Sequence, residues 1–173
     1  MGVRRKRARD LAEGLLLQND IQAPPVPVVR IAKMLGLRVV SRPLAGDLSG
    51  FLARDETGAV IGVNTQHPPV RQRFTIAHEV GHYLLSNNPA LHVDRGFDLR
   101  LRDATASAGI EIEEIEANLF AAELLMPPSF IQVDMGDADS VDFFDDSHLR
   151  LMAKRYEVSA QALMVRLGAL GYH

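Results

Sequence analysis

In RFTIAHEVGHYLL, residues 73–85, His78 and His82 stand four positions apart with Glu79 beside the first. On an α-helix, positions i and i+4 lie one above the other, so the two imidazoles project from one face within reach of a single ion. Glu79 sits about 100° round the helix, near enough to reach a water on that ion. This is the HExxH arrangement, in which two imidazoles hold Zn²⁺ and the glutamate takes a proton from bound water. Zinc lowers the pKa of that water towards ~7, giving a hydroxide-like nucleophile at neutral pH. Three fixed residues would recur by accident in about one chain of this length in a few hundred, but the surroundings argue against accident. Phe74, Ala77, Val80, Gly81 and Leu84 make the helix mostly apolar, and burying two histidines and a glutamate without partners is costly. Gly81 forms helix worse than alanine by about 1 kcal/mol. Its place next to a ligand predicts close approach by another segment.

A catalytic zinc site takes three protein ligands and keeps one position open. The chain has no cysteine, which excludes a disulfide framework, a thiolate metal site and a cysteine nucleophile together. The third ligand must then be His, Asp or Glu. EIEEIEANLFAAELLMP, residues 111–127, offers Glu111, Glu113, Glu114, Glu116 and Glu123. Ile115, Leu119, Ala122 and Met126 recur at helical spacing and predict one buried stripe. Glu114 and Asn118 lie four apart at its border, so Asn118 can support Glu114 or a ligand histidine. Glu114 is the preferred ligand, with Glu116 second and Glu113 third. Glu111, Glu113 and Glu123 read as a solvated face.

The elements that must position these residues follow from periodicity and breakers. Residues 5–19 predict a helix with Ala8, Leu11, Ala12, Leu15 and Leu16 on one side. VVRIAKMLG, opened by Pro27 and closed by Gly36, predicts another. LRVVSRP, LSGFLARD and AVIGVN read as strands, the last two joined by the hairpin signal ETG. The HExxH helix spans about 69–87 and the glutamate helix 110–126, ended by Pro127 and Pro128. Residues 88–109 show no clear period and read as mostly loop. PSFIQV suggests a short helix, 134–146 an acidic loop, and SHLRLMAKRYEVSAQALMVRLGALG two helices with a turn at Glu157 to Ser159. Strands cluster before the HExxH helix, so the pattern predicts an α+β fold, mainly helical, with a small antiparallel sheet preceding that helix.

The chain has 173 residues, 47% hydrophobic and 24% charged, with a net charge of −3. That fits one domain with a sizeable core and does not fit a protein built to coat nucleic acid. No stretch approaches the ~18 apolar residues of a membrane span. The short run Leu15–Leu17 is too brief for a signal peptide. A cytoplasmic location is expected.

The two long motifs carry a resemblance. RQRFTIAHEVGHYLL followed by EIEANLFAAELLMP is similar to the ImmA/IrrE family of zinc metallopeptidases, as are LSGFL and IGVN upstream and AKRYEVSAQALMVRLGALG downstream. The likeness covers residues 25–172. It implies a gluzincin-like zinc-peptidase domain with His78, His82 and Glu114 as Zn²⁺ ligands, Glu79 as base and Asn118 behind them. It also implies cleavage of a protein substrate, a transcriptional repressor or regulator and often a helix-turn-helix protein. The domain organisation expected is a single metallopeptidase domain over 1–173, with a basic helix in 1–24, a catalytic core in 25–133 and a helical pair in 147–173.

Other features compete for function. His92, Tyr83 and Arg95 are candidates, by chemistry only, to stabilise the tetrahedral oxyanion, with Tyr83 more suited to packing. Arg4, Arg5, Lys6, Arg7 and Arg9 read as a frayed, solvated helix start. The C-terminal helices resemble a helix-turn-helix, but Arg166 is the sole cation of the second, which makes direct DNA binding a poor fit. The acidic loop lacks the ligand order of a calcium site. An alternative to the enzyme is a non-catalytic zinc-binding module that docks a partner protein; it leaves Glu79 unused.

Overall fold

Prolines and a serine mark where four of the helices start. A computed structural model describes residues 2–56, 58–86, 91–94, 108–136 and 146–172, the side chains of 55, 91–94, 108–111 and 146 excepted. Helix α1 runs Arg5–Gln18 and α2 Val28–Met34, the latter directly preceded by Pro27. Helix α3, Pro69–Leu85, and α5, Pro128–Met135, each carry proline in the first turn, where its missing N–H costs nothing. Helix α4 spans Ala108–Leu125 and α6 Asp146–Tyr156. Helix α7, Ala160–Ala169, opens on Ser159, whose Oγ accepts from the Ala162 amide at 3.1 Å.

The strands are β1, Leu37–Arg42; β2, Gly50–Asp55; β3, Gly58–Asn64; and β4, Leu91–Asp94. They form one sheet in the order β1-β3-β2-β4. The β2–β3 hairpin is antiparallel, with Leu52 opposite Ile61, as ETG predicts. Two expectations are corrected. The sheet is mixed rather than antiparallel throughout, because β3 inserts between β1 and β2 and runs parallel to β1 in the register Leu37 to Ala59. Nor does the whole sheet precede the HExxH helix: β4 follows it, antiparallel to β2, inside the stretch read as loop. Burial explains the order. Strand β3 is buried from Ile61 to Asn64, whereas β1 buries only Leu37, so β3 takes the centre and β1 an edge.

Helix α3 lies across the sheet and packs most extensively on α4, which α1 covers from another side. Close seating on the sheet depends on Gly50, where a Cβ would strike the Thr75 methyl and the Gly62 carbonyl. One continuous core joins Ile31, Leu52, Ile61, Val80, Phe120 and Leu163. The stripe expected on α4 is also corrected. Ile115 is exposed and Leu119 and Ala122 are only partly buried, while Ala117, Phe120, Ala121 and Leu124 are fully buried. Two helices clasp α4 on different sides, so its apolar residues spread round the axis and mark no single face. The C-terminal pair α6 and α7 turns at Glu157 to Ser159 as expected. Among the described residues no helix is long and apolar enough to cross a membrane.

Candidate metal centre

Helix α3 carries His78, Glu79 and His82 in its buried middle. Their exposures are 4%, 0% and 1%, so all three side chains are taken out of water by the packing that makes the core. Helix α4 brings Glu114 across from the other side. The separations are 3.0 Å between the two Nε2 atoms, 3.5 Å from His78 Nε2 to Glu114 Oε2, and 3.3 Å from His82 Nε2 to Glu114 Oε1. A tetrahedral zinc with bonds of about 2.0–2.1 Å sets its ligand atoms about 3.3–3.4 Å apart. The trio, with each ligand atom within 4.8 Å of the others, therefore fits such an ion in both donor type and spacing. Glu114 remains 37% exposed at its side chain, so the group opens to solvent on the carboxylate side.

The outer nitrogens of both rings are held. His78 Nδ1 donates to Asn118 Oδ1 at 2.9 Å, which leaves its Nε2 lone pair facing the trio. His82 Nδ1 lies 3.4 Å from Ser86 Oγ. The ring of Phe74 stacks against His78 with centroids 6.5 Å apart. Asn118 thus serves the histidine rather than Glu114, the second of the two uses its spacing allows. Ser86 was not singled out in the sequence; its i+4 spacing from His82 is the signal that could have found it.

The helices approach closely because Gly81 faces Ala117. A Cβ on Gly81 would lie 3.0 Å from Ala117 Cα and 3.1 Å from both Ala117 O and Phe120 Cδ1. The close approach expected at this glycine is present, and the partner is the glutamate helix.

The other carboxylates of α4 are placed differently. Glu116 is fully buried and faces away from the trio, gripped by Arg4: Nε reaches Oε1 at 2.9 Å, Nη2 reaches Oε2 at 2.6 Å, and the Arg4 amide donates to Oε1 at 2.6 Å. Hydrogen bonding from Arg4 holds the Glu116 carboxyl below the usual carboxylate range, against the opposing effect of burial. Glu123 is corrected from a solvated face to the core. It is 6% exposed and bidentate with Arg166 at 3.1 and 2.6 Å, with Arg9 at 3.4 Å. Arg166 is itself buried, so the sole cation of α7 faces inwards. The basic N-terminus is likewise not simply solvated, since Arg4 and Arg9 dock on α4. Glu113 is partly buried and outside the trio, and the Glu111 side chain lies outside the described residues.

Of the residues considered for the oxyanion, Tyr83 lies under the Arg54 guanidinium, 4.3 Å from its ring centroid. His92 stands on β4 opposite Leu52, its side chain outside the description, and Arg95 lies outside the described residues. Of the acidic loop 134–146, Asp134 belongs to α5 and Asp146 begins α6; residues 137–145 lie outside the described residues.

An α+β fold that closes a His-His-Glu trio between two packed helices defines the class: a domain with a candidate metal centre of the metallopeptidase type. The model of the family Peptidase_M78, the IrrE N-terminal-like domain, matches residues 32–168, and the chain belongs to that family. The radiation response metalloprotease IrrE of Deinococcus radiodurans is 35% identical over 118 residues, which is 66% of this chain and 32% of that protein. The protein of the same name from Deinococcus deserti is also 35% identical over 118 residues, 66% of this chain and 38% of its own length. This chain therefore spans about a third of the length of these relatives. A Mycobacterium tuberculosis transcriptional regulator shares the fold with a TM-score of 0.61 at 17% identity, over 93% of this chain and 46% of that one.

Proposed function

We propose that this chain is a zinc-dependent endopeptidase that hydrolyses a peptide bond in a protein substrate, with His78, His82 and Glu114 as metal ligands and Glu79 as general base. The observation that carries this reading is the trio at 3.0–3.5 Å with a wholly buried Glu79 on the same helix. A purely structural metal site needs no such extra carboxylate. A zinc ion bound there would supply Lewis acidity to the scissile carbonyl and bring the pKa of a water towards about 7. Glu79 accepts the proton of the attacking water and passes it to the leaving amine. Asn118 holds His78 in one tautomer and Ser86 steadies His82, so both rings keep their Nε2 atoms aimed at the same point. The exposed side of Glu114 gives substrate its approach. Among the described residues strand β4 is an edge of the sheet, where an extended peptide would add by main-chain pairing.

The substrate we propose is a transcriptional repressor or regulator, in particular a helix-turn-helix protein, met in the cytoplasm. The resemblance to the ImmA/IrrE family supports that choice. In the test, purified chain is analysed for metal and incubated with a candidate repressor, with and without chelator. About one zinc per chain is expected, absent in His78→Ala, with cleavage lost on chelation. Glu79→Gln should keep the zinc and lose cleavage. If Glu79→Gln keeps both the zinc and the biological effect, the chain is a non-catalytic zinc module that acts by docking.

A further inference from the structure

Glu114 and Glu116 are two positions apart on α4, about 200° round the axis. One faces the imidazoles of α3 and the other faces Arg4. Arg4 does more than neutralise Glu116. Its Nη2 also donates to the Leu85 carbonyl at 2.9 Å, and Leu85 is the last residue of α3, three beyond His82. That carbonyl is one of the acceptors a helix end leaves without an intrahelical partner, and a cation is favoured there. A single guanidinium thus bridges the end of the histidine helix to the turn of α4 that carries Glu114.

Resting on the ligand assignment above, we propose that Arg4 is a positioning residue for the metal centre: by joining Glu116 to the Leu85 carbonyl it sets where Glu114 stands relative to His78 and His82. The bridge is directional. Two parallel N–H···O contacts fix the carboxylate plane of Glu116, and the Arg4 backbone amide adds a third from the first residue before α1. The Arg4 side chain is 24% exposed and that of Glu116 0%, so the buried carboxylate is served by a guanidinium reaching in from the surface, and removing it unties the first turns of α4 from the end of α3. His78 and His82 sit in the middle of α3 and keep their places. Glu114, near the start of α4, is the ligand that would leave.

The experiment measures zinc affinity by competition and the visible spectrum of the Co²⁺-loaded chain, in the full sequence, alongside thermal melts. Zinc should bind Arg4→Ala about 10- to 100-fold more weakly than the parent, the range seen when a group that orients a ligand is removed, and the Co²⁺ spectrum should change as Glu114 is lost. Arg4→Lys keeps the charge but not the fork, and should stay weakened; it carries the test if Arg4→Ala does not fold. The double variant Arg4→Ala with Glu116→Leu removes the buried charge along with its partner, and should remain as weak as Arg4→Ala. Arg9→Ala, a change in the same α1–α4 interface away from Glu114, should leave zinc affinity unchanged. Parent-like zinc affinity in Arg4→Ala, or its recovery in the double variant, overturns the proposal. A parent protein that binds no zinc overturns the ligand assignment instead, and this proposal with it.

Discussion

Replacing Gly81 by alanine tests the helix contact on which the trio depends. Two effects oppose each other. Alanine improves helix propensity by about 0.8–1.0 kcal/mol. Against that, its Cβ would sit 3.0 Å from Ala117 Cα and 3.1 Å from Ala117 O and Phe120 Cδ1. Ordinary carbon contacts lie at about 3.5–4.0 Å, so α4 must retreat by roughly half an ångström. Overpacking of this kind costs about 1–3 kcal/mol, which leaves a net loss of about 0–2 kcal/mol once the propensity gain is set against it. Glu114 lies one turn before Ala117, and a metal site tolerates ligand displacements of only about 0.2 Å. Gly81→Ala is therefore expected to lose about 0–2 kcal/mol in urea unfolding with chelator present while binding zinc about tenfold more weakly, a loss of about 1.4 kcal/mol. Gly81→Val should lose both fold and metal. Urea titration of the metal-free chain and zinc competition measure the two quantities separately. An alanine variant about 1 kcal/mol more stable than the parent, with unchanged zinc affinity, would refute the packing argument.

Three further outcomes are expected. Arg166→Ala leaves Glu123 buried without its bidentate partner and should cost about 3–5 kcal/mol in urea unfolding, whereas Arg9→Ala, with a side chain 59% exposed, should cost under about 1 kcal/mol. Asn118→Ala frees the His78 ring to turn, so zinc affinity should fall about 10- to 100-fold with little change in far-ultraviolet circular dichroism. Chelation should lower the melting temperature of the loaded chain, since free zinc at a hundred times its dissociation constant stabilises by about 2.7 kcal/mol; in His82→Ala the chelator should make no difference.

Local chemistry was legible in the sequence and long-range pairing was not. His78 and His82 could be placed together because helical periodicity alone puts i and i+4 on one face. Gly81 could be read as a close contact because a glycine in mid-helix needs a reason. The first three strands announced themselves through apolar runs and the ETG turn, but nothing local says that β3 pairs with β1 in parallel. Strand β4 has four residues and is defined by its ladder with β2, so periodicity had no length to work on. On α4 the glutamates look alike in sequence. What separates them is distant: Arg4 lies 112 positions before Glu116, and Arg166 lies 43 after Glu123. A carboxylate is read as solvated until the cation that buries it is known.

Accessibility across the trio is lopsided, with two imidazoles sealed inside the protein and one carboxylate at the rim. Among the described residues, an ion taken up by the trio would enter past Glu114. That carboxylate sits on a rotatable side chain, so uptake and release past it should run on the timescale of local motion.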